Sequence, residues 1–197
     1  MTINFESEKL TLRFWRLLYQ TYTLFKRCED QIFGEYKLTT EQFAVLVAMA
    51  YLGEPSMPSD IARWLERSTN SVSMLVDRMV KAGLVRRVRD RRDRRAVQLF
   101  MTSKAENALK PATVAGLEFT RKILSSLSSE DRLTLVNLLE MVKNKTLDYL
   151  NSGMDIEEVK RNELEQQANI RKWLLKYTSP ATPEAKRQGS EKRKTIR

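Results

Sequence analysis

The chain has 197 residues, 42% of them apolar, and carries 35 Lys and Arg against 25 Asp and Glu, a net charge of +10, with no histidine. The absence of histidine removes most metal sites and most general acid–base chemistry, so no metal or cofactor is expected, and the one cysteine excludes an intramolecular disulfide and fits a reducing, cytoplasmic setting. No apolar run approaches the ~18 residues of a membrane helix, and the N-terminus lacks the basic flank and apolar core of a secretory signal, so no membrane association is expected.

The first predicted element is a long helix over residues 8–33. Leu10, Phe14, Leu17, Leu18, Phe25, Cys28 and Ile32 fall on one stripe at 3–4 spacing, and Trp15, Tyr19 and Tyr22 form a second, aromatic one. Two stripes suit a central core helix; a dimer or ligand-pocket helix is the competing reading. Residues 38–53 start with a capping box, Thr39 with Gln42, and are apolar almost all round, which predicts a buried helix ended by Gly53 and Pro55. A short helix over 57–68 faces inward with Ile61, Ala62 and Leu65. The next helix, over 68–85, follows almost without a gap and turns Val72, Leu75, Val76, Met79 and Val80 inward, which leaves Asn70, Ser71, Ser73, Met74, Asp77 and Arg78 on the opposite side. Gly83 fits the left-handed position that ends a helix.

After Gly83 the period changes from helical to alternating. Val97, Leu99 and Met101 alternate with Ala96, Gln98 and Phe100, as in a half-buried strand; residues 84–89 are its natural partner, although their alternation is poor. The intervening 90–95 segment then forms the tip of a β-hairpin. Residues 86–95 hold seven arginines and two aspartates, and residues 184–197 form a second basic run. The rest of the chain is near neutral, and basicity localised in this way points to a polyanionic partner. Ser103 with Glu106 predicts a capped helix to about Leu127 that Pro111 should kink or interrupt. Ser128 with Asp131 opens another to about Leu150, with Leu135, Leu139 and Val142 on its inner face. Residues 151–155 break the pattern, 155–177 read as a last helix, and 178–197 as a disordered basic tail.

The pair 57–68 and 69–82 has the lengths and tight turn of a helix-turn-helix, whose second helix reads base edges in the major groove, and the hairpin after it would be a wing. An arginine at a wing tip can enter a minor groove, where negative potential is focused, while its neighbours neutralise phosphates. An aspartate inside such a run can hold a guanidinium in a bidentate fork, and Asp93 is placed for that. There is no glycine-rich phosphate loop and no nucleophile–base constellation, so no enzyme is expected. A basic RNA-binding protein would display aromatics on a sheet or loop, whereas here they lie mainly in helical stripes.

The segments 38–46, 57–102 and their order resemble the multiple antibiotic resistance regulator (MarR) family of bacterial winged-helix transcription factors, over roughly residues 8–150; the match is strongest from 75–85 through 90–102. The resemblance implies a fold that is mainly α with a small β-hairpin wing, a winged helix-turn-helix with flanking dimerisation helices. It implies a homodimer on a palindromic operator in double-stranded DNA, most often a repressor, in many members released by a small, often aromatic ligand. The chain then divides into an N-terminal dimerisation helix (1–35), a DNA-binding domain (36–102), C-terminal dimerisation helices (103–150), an extra helix (151–177) and the basic tail (178–197). The candidate DNA-binding residues are Ser68, Thr69, Asn70, Ser71, Ser73, Met74 and Arg78 on the recognition helix, and Arg91, Arg92, Asp93, Arg94 and Arg95 on the wing. Asp93 and Arg95 fall at the family's aspartate–arginine pair. Met74 stands where the family often has arginine; it cannot donate to guanine, so readout would shift to Asn70, Ser71 and Ser73, or to thymine methyl contact. Trp15, Tyr19 and Tyr22 are the candidate lining of an effector pocket, with core or dimer packing as the alternative. Cys28 reads as a packed, inert thiol rather than a peroxide sensor.

Overall fold

A computed structural model describes residues 5–89 and 97–150, together with Leu175. The elements are α1 (Phe5–Gly34), α2 (Thr40–Leu52), α3 (Pro58–Trp64), α4 (Thr69–Lys81), β1 (Val85–Arg89), β2 (Val97–Met101), α5 (Ser103–Leu124) and α6 (Ser129–Leu150). The expected mainly helical fold with one antiparallel hairpin is the fold found. The chain divides into two compact units between Met141 and Val142, and the packing below is that of the first. The expected helix over 155–177 and the tail after it lie outside the described residues, Leu175 apart.

The core gathers around α2. Its capping box forms as expected: the Thr39 hydroxyl oxygen accepts from the Gln42 N–H at 3.2 Å, and the Gln42 side chain accepts from the Thr39 N–H at 3.0 Å. Val45, Leu46, Ala48 and Met49 are fully buried. Against them pack Ile61 of α3, Val72, Val76 and Met79 of α4, Leu99 of β2 and Leu109 and Ala112 of α5, all buried. At the lower end of α1, Phe33 stacks on Phe43 with centroids 3.9 Å apart. A Cβ on Gly116 of α5 would stand 3.2 Å from the Phe33 ring, so only glycine lets α5 approach there without displacing it.

Several local expectations change. The α5 cap is Thr102, not Ser103. The Thr102 hydroxyl accepts from the Ala105 N–H while donating to the Gly83 and Leu84 carbonyls, so one side chain caps a helix and ties it to the turn after α4. Pro111 does not interrupt α5, which runs unbroken to Leu124. Its ring removes one backbone bond, and burial of Leu109, Ala112 and Thr113 on either side outweighs that loss. Val80 is exposed because the buried stripe of α4 lies on Val72, Leu75, Val76 and Met79. The Ser128–Asp131 box caps α6 as expected, with the Asp131 N–H donating to the Ser128 hydroxyl at 3.0 Å and the Ser128 N–H returning to the carboxylate.

The larger correction concerns α1 and α6. Leu10, Phe14, Trp15, Leu17, Leu18, Tyr19 and Tyr22 are all exposed in the single chain, so the upper part of α1 is no core helix. The body reaches only its lower part, where Phe25 meets Phe119 of α5 edge-on at 5.0 Å. The expected inner residues of α6, Leu135 and Leu139, are exposed too, and no residue of α6 is buried.

Two turns frame the region that matters below. After α3, the Arg67 N–H bonds the Ala62 carbonyl and the Glu66 N–H bonds that of Arg63, which places Glu66 at φ +53°. After α4, the Leu84 N–H bonds Met79 and the Gly83 N–H bonds Val80, with Gly83 at φ +69°. The motif is the same, a left-handed residue closing the last carbonyls of a helix, but only the second uses glycine. Glu66→Gly should therefore raise unfolding free energy by up to about 1 kcal/mol, and Gly83→Ala should lower it by about 1 kcal/mol, read from urea denaturation midpoints.

Candidate nucleic-acid interface

The interface is built on α3, the turn at Glu66 and α4. Ser68 caps α4 by accepting from the Ser71 N–H at 3.2 Å, so its hydroxyl oxygen is spent on the helix end. The first-turn N–H groups and the positive end of the helix dipole lie here, which suits an anion such as a phosphate. Because the inner stripe of α4 is buried, the opposite edge is fixed outward. Thr69, Asn70, Ser71 and Arg78 are exposed, Met74 is 68% exposed, and Ser73 is half-buried. The inner stripe thus orders six of the seven expected recognition-helix positions into an accessible edge; Ser73 sits at its margin.

The hairpin lies beside this helix. Its register pairs Val85 with Met101, Arg87 with Leu99 and Arg89 with Val97 on one face, and Arg86 with Phe100 and Val88 with Gln98 on the other. The first face carries the buried Val85 and Leu99. The poor alternation of 84–89 has its explanation here: Arg87 occupies an inward-facing row, where its guanidinium meets the Asp77 carboxylate of α4 at 2.8 Å. On the outer face, the Arg86 guanidinium lies 5.4 Å from the centre of the Phe100 ring, in cation–π range. The Ser56 and Leu99 backbones exchange two hydrogen bonds, at 3.2 and 2.8 Å, an isolated antiparallel bridge against β2. The Glu54 carboxylate accepts from the Met101 N–H, and the Lys104 ammonium donates to the Ala82 carbonyl at 2.7 Å. The 54–56 segment thus holds β2 at Leu99 and Met101, and Lys104 ties α5 to the end of α4. The five expected wing residues, Arg91, Arg92, Asp93, Arg94 and Arg95, lie outside the described residues.

A cavity of about 440 Å³ opens where α1 meets α2 and the α3–α4 turn. Leu18, Tyr22 and Phe25 of α1 give it apolar walls, Lys26, Glu29 and Glu41 polar ones, and Arg67 closes the side next to the α4 cap. Of the three aromatics expected to line a pocket, Tyr22 does so; Trp15 and Tyr19 are not among the lining residues. Sequence reasoning missed Lys26, Glu29, Glu41 and Arg67 because charged residues on an amphipathic helix ordinarily face solvent. Lys26 bonds Glu41 at 2.6 Å, and the Thr40 hydroxyl donates to Asp30 at 2.6 Å, so two polar contacts pin α1 to the start of α2. The hydrogen bond from Lys26 holds the Glu41 carboxyl below its ordinary 4.5, and the same bond raises the Lys26 ammonium above 10.5. Burial pushes Glu29 the other way, above 4.5, with the Asp30 charge adding to the effect. Cys28 is a half-buried free thiol. Among the described residues no cluster of three His, Cys, Asp or Glu side chains could hold a metal ion, and no helix is long and apolar enough to cross a membrane.

A sequence model of the MarR family matches residues 36–96, which span α2 to the start of β2. The HTH-type transcriptional regulator PecS of Dickeya dadantii is 30% identical over 122 residues, covering 61% of this chain and 74% of that protein. The uncharacterized HTH-type regulator YsmB of Bacillus subtilis is 26% identical over 108 residues, 55% of this chain and 73% of its own. Among solved structures, the organohalide-sensing regulator RdhR-CbdbA1625 superposes with a TM-score of 0.68 at 26% identity, covering 76% of this chain and 88% of that one, both free and with 2,4-dichlorophenol bound. A mutant MarR from E. coli complexed with operator DNA has the same fold, with a TM-score of 0.61 at 20% identity over 67% of this chain and 94% of its own.

The opposed environments of Glu29 and Glu41 give a titration with a defined sign. Glu41, held low, adds stability that is complete above its ordinary 4.5 and is lost as pH falls through its folded value. Glu29, pushed up, costs stability wherever it is ionised, and that cost vanishes below 4.5. Carboxyl carbon NMR should show Glu29 titrating above Glu41. Glu29→Gln should raise the melting temperature at pH 7 and lose that advantage as pH falls through the Glu29 titration.

Proposed function

The chain belongs to the MarR family of transcriptional regulators, and from that premise we propose that it acts as a homodimer on a palindromic operator in duplex DNA, represses nearby genes, and is released by a small aromatic ligand. It works in the cytoplasm, where the chromosome lies, and no catalysis is part of the reading. The observation that carries it is the two-edged α4: an inner stripe buried to 5% exposure or less, and an outer edge of Thr69, Asn70, Ser71, Met74 and Arg78 left open beside a fastened hairpin.

Each group has a role suited to its chemistry. Asn70 is placed to bond adenine in bidentate fashion, and Arg78 to reach guanine or a phosphate. Met74 offers a methyl-rich surface to thymine and no donor to guanine, which biases the central contact toward A·T pairs. In this reading Ser71 and Ser73 share base readout with Asn70, while Ser68 and Thr69 at the α4 N-terminus meet phosphates. On the wing, Arg94 or Arg95 enters the minor groove with Asp93 as its clamp, and Arg91 and Arg92 neutralise phosphates.

The homodimer reading is supported by surface that one chain leaves uncovered. Leu10, Phe14, Leu17 and Leu18 on α1 and Leu133, Leu135, Val136, Leu138 and Leu139 on α6 are all exposed, and clustered exposed leucines on a helix mark a surface for a partner. The ligand reading rests on the cavity, which touches α1 on one side and Arg67, next to the α4 cap, on the other. A phenol filling it would press on both, and Tyr22 and Phe25 offer it aromatic walls. The dichlorophenol-bound form of RdhR-CbdbA1625 supports that class of ligand.

Gel shifts with duplex DNA from around the protein's own gene, against single-stranded RNA competitor, test the DNA reading. Specific duplex binding that persists at moderate salt is expected. Arg94→Ala and Arg95→Ala should each weaken operator binding while sedimentation still reports twice the chain mass. Asn70→Ala should lose about 1–3 kcal/mol of discrimination at one base pair. Wild-type affinity in both arginine variants at physiological salt would show that the wing does not enter the groove.

A further inference from the structure

The Asp77–Arg87 pair is an anomaly for a DNA-binding surface. Asp77 lies on the outward side of α4, one helical turn beyond Ser73 and Met74, and its side chain is 56% exposed. A carboxylate there repels phosphates, so plain electrostatics makes it a cost to binding. Arg87, the natural phosphate ligand beside it, is withdrawn: its side chain is 33% exposed, and it sits in the inner row of the hairpin with the buried Val85 and Leu99. At 2.8 Å the two form an ion pair between the recognition helix and the wing strand.

From this we infer that Asp77 and Arg87 are positioning residues, a clamp that fixes the wing at a set distance from the recognition helix without touching DNA. The inference rests on the DNA-binding reading above. The base of the hairpin is already held by the Thr102 bonds to Gly83 and Leu84. Arg87 is two residues further along β1 than Val85, toward the arginine-rich tip. The Ser56 backbone bonds hold β2 at Leu99, the register partner of Arg87, so the ion pair fastens β1 at the same rung and both strands are anchored one step nearer the tip than Val85. A major-groove helix and a minor-groove arginine engage together only if their separation is set in advance, and presetting it removes an ordering cost from binding. The clamp also separates the arginine run by role. Arg87 is committed to α4, Arg86 to Phe100, and the groove and phosphate contacts fall to the arginines beyond them.

The test is one of sign. If Asp77 were only a charge near DNA, Asp77→Asn would raise operator affinity. The clamp requires that Asp77→Asn and Arg87→Gln each lower it about fivefold, the scale of a partly exposed ion pair, with a shallower salt dependence as wing–phosphate contacts are lost. The exchanged pair, Asp77→Arg with Arg87→Asp, should recover most of the affinity and the slope. In the DNA-free protein, amide hydrogen exchange over Val85–Arg89 and Val97–Met101 should quicken in the single variants and slow again in the exchanged pair. Unchanged or raised affinity in Asp77→Asn overturns the clamp, as does an exchanged pair no better than the singles. If the wild-type chain binds no operator, the DNA reading fails, and the exchange measurement still decides whether the clamp exists.

Discussion

Burial of one edge of α4 sets the geometry of everything presented to solvent around it. Val72, Leu75, Val76 and Met79 are driven into a core shared with α2, α3 and β1, and a helix with one edge so anchored has no freedom to roll. The outward edge is therefore positioned by hydrophobic packing on the far side of the same helix. The turns at either end extend that control. The left-handed residue at Glu66 aims the chain from α3 into the α4 cap, and Gly83 aims it from α4 into β1, where Thr102 locks the strand base to the start of α5. Recognition helix, hairpin and α5 are thus one connected frame.

Outside that frame the balance reverses. α1 and α6 carry abundant leucines and aromatics that the chain itself does not cover, and α1 joins the body only through its lower part. The proposed homodimer would cover these residues. The arrangement also puts the cavity at an informative place. Lys26, Glu41, Asp30 and Thr40 pin α1 to α2, and Arg67 of the same cavity immediately precedes the cap of α4. The cavity thus borders both the α1–α2 contacts and the residue that leads into the recognition helix.

Much of this was legible in the sequence because the signals were local. The capping boxes at Thr39 and Ser128, the stripe of α4, the switch to alternation after Gly83 and the end of α2 at Gly53 depend on residues within a turn of each other. What was not legible depends on partners distant in sequence. Thr102 displaces Ser103 as the α5 cap because its hydroxyl also reaches Gly83 and Leu84. Pro111 is tolerated because residues on both sides of it are buried. The exposure of Leu135 and Leu139 was invisible because an apolar stripe says that something will cover it, not which chain. In the candidate site, the outward edge of α4 followed from periodicity, whereas the inward turn of Arg87 toward Asp77 required the hairpin register. Trp15, Tyr19 and Tyr22 share a stripe, yet only Tyr22 is near enough to the body to line the cavity.

Hydroxyl-radical footprinting on the operator shows whether two copies of α4 lie in successive major grooves with a wing beside each, as proposed. Two protected patches are expected on each strand, about one helical turn or 10 base pairs apart and related by a dyad, with flanking minor-groove protection from the wings. A single continuous footprint without that period, or a lone protected half-site at saturating protein, would contradict that placement.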